Sequence, residues 1–187
     1  RLHRVLRATP ERVYRAFLDP DAMAKWLPPN GFTGKVHHMD AKVGGSYKMS
    51  FTNFTTGKSH SFGGSYLELK PDERIRHTDK FDDPNLPGEM QVTIALKQVS
   101  CGTELNITQE GVPAVIPAEA CYLGWQESLT LLAKLVEAEI LYQRGIGEQA
   151  RYVFKHALIQ DTAYQSLLKS TRQQYHQQIA HVLEEQF

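Results

Sequence analysis

The sequence predicts an α+β domain, in which one curved antiparallel sheet wraps around a long terminal helix, followed by a helical extension. Runs of alternating apolar and polar residues recur between residues 2 and 109, as is typical of strands separated by turns. A one-sided apolar stripe follows, at the spacing of a long amphipathic helix. Near Leu141 the strand pattern disappears, and Gln-rich sequence that favours helices continues to Phe187. This order of elements favours a sheet packed against the terminal helix.

The first strand and two short helices are predicted at the beginning of the chain. Residues 2–7 roughly alternate between apolar and polar side chains, which indicates a strand. The Thr-Pro pair at residues 9–10 is typical of a helix N-terminus, with Pro at the first helical position. The Asp-Pro pair at residues 19–20 is expected to end this helix. A second helix is predicted over residues 21–26.

Six further strands are predicted, each bounded by Gly, Pro or Asn. They comprise residues 32–39, 46–51, 60–69, 74–81, 91–99 and 103–109. Gly63 and Gly64 lie inside one of them, where glycine predicts a bulge or a close approach to a ligand, with simple curvature of the sheet as the favoured interpretation. The last two strands form a hairpin around residues 100–102.

The terminal helix is predicted to begin at Pro117. Its apolar residues mostly lie three or four positions apart, so they form one stripe along the helix. The residues of this stripe are Cys121, Trp125, Leu129, Leu132, Leu135 and Val136.

Residues 142–187 are predicted to form a separate helical extension to a domain over residues 1–141. Two amphipathic helices are expected, because apolar residues recur at helical spacing on both sides of a break at residues 169–171. Two short helices cannot bury both apolar stripes against each other and be very stable. We therefore expect a helical hairpin that mediates self-association into a homo-oligomer.

Composition excludes several classes of partner. The 187 residues include 21 basic and 21 acidic side chains, so the formal net charge is zero. This balance gives no electrostatic basis for binding nucleic acid or an anionic membrane. Two cysteines are too few for a disulfide framework, and we expect a cytoplasmic protein. Because the sequence opens at Arg1 inside a strand-like run, we expect its natural start to lie upstream.

Four segments in a fixed order resemble a known family. They are residues 12–20 (RVYRAFLDP), 25–29 (KWLPP), 44–47 (GGSY) and 124–129 (GWQESL). Over residues 1–139 the sequence resembles the Activator of Hsp-90 ATPase homologue-1-like family of the SRPBCC (START-like, birch-pollen-allergen-like) superfamily. The resemblance implies a helix-grip fold, with a cavity between sheet and helix that commonly holds apolar small molecules.

The extension resembles a different group of proteins. Residues 142–145 (YQRG) and 154–168 (FKHALIQDTAYQSLL) are similar to a helical stretch of large bacterial signalling ATPases that carry a cyclase domain. The sequence contains no Walker A loop, Walker B strand or cyclase catalytic segment, so we expect neither activity. Residues 135–139 suit both families, and our hypothesis is a gene fusion through this shared helical sequence. Sequencing across the junction would test it, since an interrupted reading frame would indicate an artefact.

The residues predict neither a metal site nor a cofactor. His37 and His38 are adjacent on a strand, so their side chains point to opposite faces. The other histidines have no Cys or carboxylate at metal-binding spacing. Cys121 is interpreted as a small core residue rather than a nucleophile. No Gly-x-Ser-x-Gly elbow is present, so no catalytic residue is assigned.

The candidates for a ligand cavity are mostly aromatic. Those on elements expected to face the cavity or core are Phe17, Trp26, Tyr47, Phe51, Phe62, Tyr66 and Trp125. The alternative is that they only fill the core, because a core and an apolar site use the same residue types. His77 and Glu127 are the titratable candidates. Glu127 either faces solvent or, inside the cavity, has its pKa raised by desolvation.

Three functions are compatible with these features. The first is a binding module for an apolar small molecule, without catalysis. The second is a co-chaperone-like module that activates a chaperone ATPase, which only the family resemblance implies. The third is a cavity enzyme of the cyclase or hydrolase type. A continuous aromatic cavity favours the first, a filled core with an exposed groove the second, and His77 or Glu127 with a polar partner inside the cavity the third.

Overall fold

The computed structural model describes residues 1–137, 141–144 and 151–154. The chain divides into two compact units, Arg1–Ala138 and Glu139–Phe187. The first unit contains three helices, α1 (Pro10–Ala16), α2 (Pro20–Trp26) and α3 (Ala118–Glu137). Its strands are β1 (Leu2–Leu6), β2 (Phe32–Met39), β3 (Ser46–Asn53), β4 (Ser59–Lys70), β5 (Arg74–Phe81), β6 (Met90–Val99) and β7 (Gly102–Glu110).

The seven strands form one curled antiparallel sheet in the order β1-β7-β6-β5-β4-β3-β2. Consecutive strands from β2 to β7 are neighbours, so short turns connect most of the sheet. The first strand instead pairs with the last, with Leu6 opposite Thr103. The strands β1 and β2 therefore form the two edges of the sheet, and α1 and α2 connect them in the chain. The predicted α+β helix-grip architecture is confirmed.

Capping residues determine where the two short helices begin. The Thr9 side chain accepts a hydrogen bond from the backbone N–H of Arg12, and the Asp19 side chain accepts one from Ala22 at 2.8 Å. Each cap satisfies one of the free N–H groups at a helix start. The Asp-Pro pair therefore begins α2 at Pro20, in addition to separating it from α1.

The C-terminal half of α3 anchors the helix to the sheet. Leu129, Leu132 and Val136 are buried, and burying each such side chain contributes about 1.5–3 kcal/mol. The Ser128 hydroxyl donates a 2.6 Å hydrogen bond to the Leu27 carbonyl oxygen, which ties α3 to the end of α2. Among the helices described, none is both long and apolar enough to cross a bilayer.

The glycine pair in β4 does not form the predicted bulge. The register of β4 against β5 shifts between Tyr66 and Glu68, not at the glycines. Gly64 instead lies against the backbone of β5, where a Cβ atom would overlap the carbonyl oxygen of Thr78. Glycine is required here because the neighbouring strand, rather than a ligand, comes so close.

The second unit corrects the prediction of a purely helical extension. Its described residues form two antiparallel strands, β8 (Leu141–Arg144) and β9 (Arg151–Phe154), with Leu141 opposite Phe154. Both strands are four residues long, too short for an alternating pattern to be recognised in sequence. The predicted helices over residues 155–187 lie outside the described residues, and their role in self-association stays a prediction.

Two glycine substitutions should have opposite effects on stability. We expect Gly64→Ala to lose about 1–3 kcal/mol, because the added Cβ forces β4 and β5 apart. Gly124→Ala in α3 should gain about 0.5–1 kcal/mol, because its Cβ meets no neighbour and alanine favours helix. Urea unfolding followed by tryptophan fluorescence measures both, since Trp26 and Trp125 lie in the first unit. Equal stabilities would contradict the close approach at Gly64.

Candidate functional site: a cavity between the sheet and α3

A cavity of about 320 Å³ lies between the concave face of the sheet and the N-terminal half of α3. Residues from α2, α3 and the strands β2 to β7 line it, together with Phe17 at the C-cap of α1 and residues of the connecting loops. Such a volume is at the lower end of the range found for small-molecule pockets.

Small residues on α3 leave this space open. Ala120, Cys121 and Gly124 line the cavity on the first turns of the helix, whereas Leu129 and Leu132 fill the corresponding space further along. A Cβ atom added at Gly124 would meet no atom within 4 Å. The C-terminal half of α3 therefore packs into the core, whereas its N-terminal half lines the cavity.

Aromatic side chains make up much of the wall. Phe51 and Phe62 meet edge to face with ring centroids 4.8 Å apart, and Phe62 contacts Phe81 at 6.2 Å. The His60 ring lies among them, 5.7 Å from Phe51, and burial lowers its pKa. The imidazole therefore stays neutral, and this part of the wall offers apolar contact rather than charge.

A polar cluster lies on β3 and β5 at the cavity wall. Nδ1 of His77 is 2.9 Å from the Thr78 carbonyl oxygen, and the Tyr47 hydroxyl is 3.1 Å from the same nitrogen. Because a carbonyl oxygen only accepts, this arrangement assigns the proton of neutral His77 to Nδ1. Burial lowers the pKa of His77, although its backbone hydrogen bond with Thr78 opposes the shift.

Asp79 carries the carboxyl group of this cluster. Burial raises its pKa to about 7, against the opposing effects of the Tyr47 hydroxyl, the Lys80 backbone and the charge of Lys48. The Oδ1 atom is inaccessible to solvent and has no hydrogen-bond partner. A buried acceptor without a donor is costly, so the protein itself leaves the Asp79 carboxyl group incompletely hydrogen-bonded.

A second polar group lies beneath α3. Oε1 of Gln109 accepts hydrogen bonds from Trp125 Nε1 at 2.7 Å and from Cys121 Sγ at 3.1 Å. Burial raises the pKa of the Cys121 thiol, which therefore stays protonated at neutral pH and is a poor nucleophile.

The comparison with known families decides the family of this chain. The sequence profile described as Activator of Hsp90 ATPase homolog 1-like protein matches residues 7–137, well over half of the chain. The chain belongs to this family. The match ends at the last residue of α3, and a comparison with curated proteins found no match.

Solved structures of family-like proteins share the fold. A protein from Chromobacterium violaceum is 64% identical, with a TM-score of 0.73; the similarity covers 74% of this chain and 96% of that one. A protein from Rhodobacter sphaeroides is 25% identical over 73% and 90% of the two chains, with a TM-score of 0.64. An AHSA1-like protein from Aeromonas hydrophila, 20% identical over 73% and 90%, has a TM-score of 0.61 and supports the fold alone.

The structure brings together most of the residues that the sequence singled out. The cavity is lined by Phe17, Trp26, Tyr47, Phe51, Phe62, Tyr66, His77 and Trp125. Glu127 differs, because it does not line the cavity. Its carboxylate accepts a 3.0 Å hydrogen bond from the Asn30 backbone N–H. Residues two apart on a helix point in different directions, so Glu127 does not face the cavity that Trp125 lines.

Several polar lining residues were missed in the sequence, namely His60, Asp79, Gln109 and Ser128. Asp79 lies two positions after His77 on a predicted strand, so strand alternation could have placed both on one face. Gln109 ends a predicted strand, and nothing in its sequence context signals that Trp125 and Cys121 donate to it.

Metal chemistry has no support in the described part of the chain. No group of three or more His, Cys, Asp or Glu side chains there could hold a metal ion. His37 and His38 lie within hydrogen-bond distance of separate hydroxyl groups, those of Ser50 and Ser46. What the site does offer is apolar volume, with a carboxyl group at one wall and an amide at another.

We predict that Asp79→Asn stabilises the protein at high pH. Between pH 3.8 and about 7 the folded protein keeps a proton that the unfolded chain has released, so Asp79 makes the fold less stable as pH rises through this window. The variant should be more stable by about 2–4 kcal/mol above pH 7, with the difference vanishing near pH 4.

Urea unfolding at a series of pH values measures this difference. Asp83→Asn is the matched control, because Asp83 is exposed and its pH profile should follow the wild type. A difference between Asp79→Asn and wild type that stays constant with pH would show that the Asp79 carboxyl titrates normally.

Proposed function

We propose that this member of the family binds an apolar small molecule in the cavity beneath α3. The observation that carries the proposal is about 320 Å³ of space bounded mainly by aromatic and aliphatic side chains. Protein interiors are normally packed as densely as organic crystals, and unfilled apolar space reduces stability in proportion to its volume. Small residues on α3 keep this space open, and a ligand that fills it would offset the loss.

The polar groups in the wall give such a ligand a preferred orientation. The Tyr47, His77 and Asp79 cluster lies on β3 and β5, whereas Gln109 lies on β7 beneath Trp125. Pockets of this kind combine apolar contact for affinity with a few fixed polar groups for specificity. The ligand is therefore expected to be largely apolar with a polar group near the Asp79 wall.

An enzyme acting inside the cavity is the second candidate. The supporting observation is the Tyr47 hydroxyl, which lies 3.1 Å from Nδ1 of His77 and also hydrogen-bonds the Asp79 carboxyl group. A carboxyl group with a pKa of about 7 can exchange a proton at neutral pH. This candidate predicts that a molecule released from purified Asp79→Asn protein changes its mass or its chromatographic retention when it is incubated with wild type. A molecule that keeps both its mass and its retention favours binding without catalysis.

The family description supports a co-chaperone function as another candidate. An activator would raise the ATPase rate of a chaperone through a surface contact, so filling the cavity should leave that activity unchanged. Measuring chaperone ATPase with wild type and with a cavity-filled variant distinguishes this function from ligand binding.

We expect native mass spectrometry of the purified full chain to detect a bound small molecule. The spectrum also counts subunits, which tests the predicted self-association. Denaturing conditions should release the extra mass, because cavity binding is non-covalent. A chain without extra mass that also fails to bind an added apolar probe would contradict the proposal.

Gly124→Phe should block the cavity without disrupting the fold. The new side chain would extend from α3 into the cavity, and phenylalanine has a higher helix propensity than glycine. We expect at least a tenfold weaker affinity for the neutral fluorescent probe N-phenyl-1-naphthylamine. Leu123→Phe is the matched control, because Leu123 is 60% exposed on the same helix and does not line the cavity. Equal affinities of the two variants would place the probe elsewhere.

A further inference from the structure

The cavity wall carries a single acidic group and no matching base. Among the described residues that line it, Asp79 is the only carboxylic acid, and none is Lys or Arg. The two lining histidines, His60 and His77, have pKa values lowered by burial and are neutral. Among these lining side chains, Asp79 is therefore the one whose charged form, a carboxylate, complements a ligand with one positive charge.

Asp79 also has unused capacity to accept hydrogen bonds. Its Oδ1 atom is buried and has no partner in the protein. The Tyr47 hydroxyl and the Lys80 backbone act on the Asp79 carboxyl group but leave Oδ1 unpaired. Nδ1–H of His77, two positions away on the same strand, already points to the Thr78 carbonyl oxygen at 2.9 Å. A carboxylate accepts from about four directions, and Asp79 lines the cavity, so its carboxyl group has capacity for a donor supplied by a ligand.

Aromatic residues flank Asp79 in the register of the sheet. Phe81 lies two positions further along β5 and faces Phe62 of β4, with ring centroids 6.2 Å apart. On the other side, Tyr66 of β4 lies opposite His77, and its ring centroid is 5.7 Å from that of Tyr47 on β3. Ring faces attract cations, most strongly where water is excluded. Aromatic rings with one carboxylate are suited to an organic ammonium group, which needs both charge and apolar contact.

We propose that the ligand of this cavity is a small hydrophobic amine, whose ammonium group pairs with Asp79 while its apolar part fills the aromatic space beneath α3. This inference rests on the proposed binding function and adds the chemical class of the ligand. The volume of about 320 Å³ limits the ligand to a small amine, such as one with a single fused aromatic ring system.

A pair of ligands of equal shape tests this inference. The probes are 2-(1-naphthyl)ethylamine and 2-(1-naphthyl)ethanol, which differ in charge at one position. Affinities for the full chain come from displacement of N-phenyl-1-naphthylamine at neutral pH. We expect the amine to bind wild type at least tenfold more tightly than the alcohol, because only the amine forms a charge-assisted hydrogen bond.

Variants then assign the preference to Asp79. In Asp79→Asn the preference should fall below threefold, through a loss of amine affinity with little change for the alcohol. Glu127→Gln is the control, because it removes a carboxylate that lies outside the cavity, and its preference should match wild type.

Each other outcome overturns the inference in a distinguishable way. Equal affinity of amine and alcohol for wild type would overturn the amine class while leaving cavity binding intact. An amine preference that persists in Asp79→Asn would overturn the role of Asp79. Failure of the probe and both ligands to bind wild type would overturn the inference together with the proposed function. The wild-type comparison decides the ligand class even if Asp79→Asn folds poorly.

Discussion

The packing of α3 into the concave face of the sheet is the constraint on which the rest of the first unit depends. Leu129, Leu132 and Val136 bury the C-terminal part of the helix, and Ser128 ties it to α2 through the Leu27 carbonyl. With that end held, the first turns of the helix are positioned above the sheet regardless of what they bury. Small residues at positions 120, 121 and 124 then leave a cavity that the packing further along does not collapse.

The same geometry explains the unusual environment of Asp79. Strand alternation directs it to the concave face, where burial raises its pKa to about 7 and leaves one oxygen without a partner. The charge of Lys48 and the hydroxyl of Tyr47 reduce this cost only in part. Groups with shifted pKa values cluster at functional sites, where an incompletely hydrogen-bonded polar group in an apolar pocket can bind a specific polar group of a ligand.

The family match concerns the first unit of the chain and not the second. The family match ends at residue 137, where α3 ends, and the described residues beyond it form the β8–β9 hairpin. The site and both proposals concern the first unit alone. Any contribution of the second unit to assembly is a property that the subunit count in a native mass spectrum would reveal.

The sequence by itself determined the order of elements and the fold class of the first unit. Alternation, capping pairs and one helical stripe are local signals, and the predicted strands agree with β2 to β7 to within a few residues. It also singled out eight residues that line the cavity, because aromatic residues on inward faces must lie in a core or a pocket. Whether these residues line a filled core or an open pocket depends on the distance between α3 and the sheet. That distance is set by contacts between segments far apart in the chain. Only the tertiary structure decided that Glu127 lies outside the cavity, that Gly64 serves strand packing, and that Asp79 is the buried acid. Each depends on neighbours across the sheet or helix that local sequence patterns do not encode.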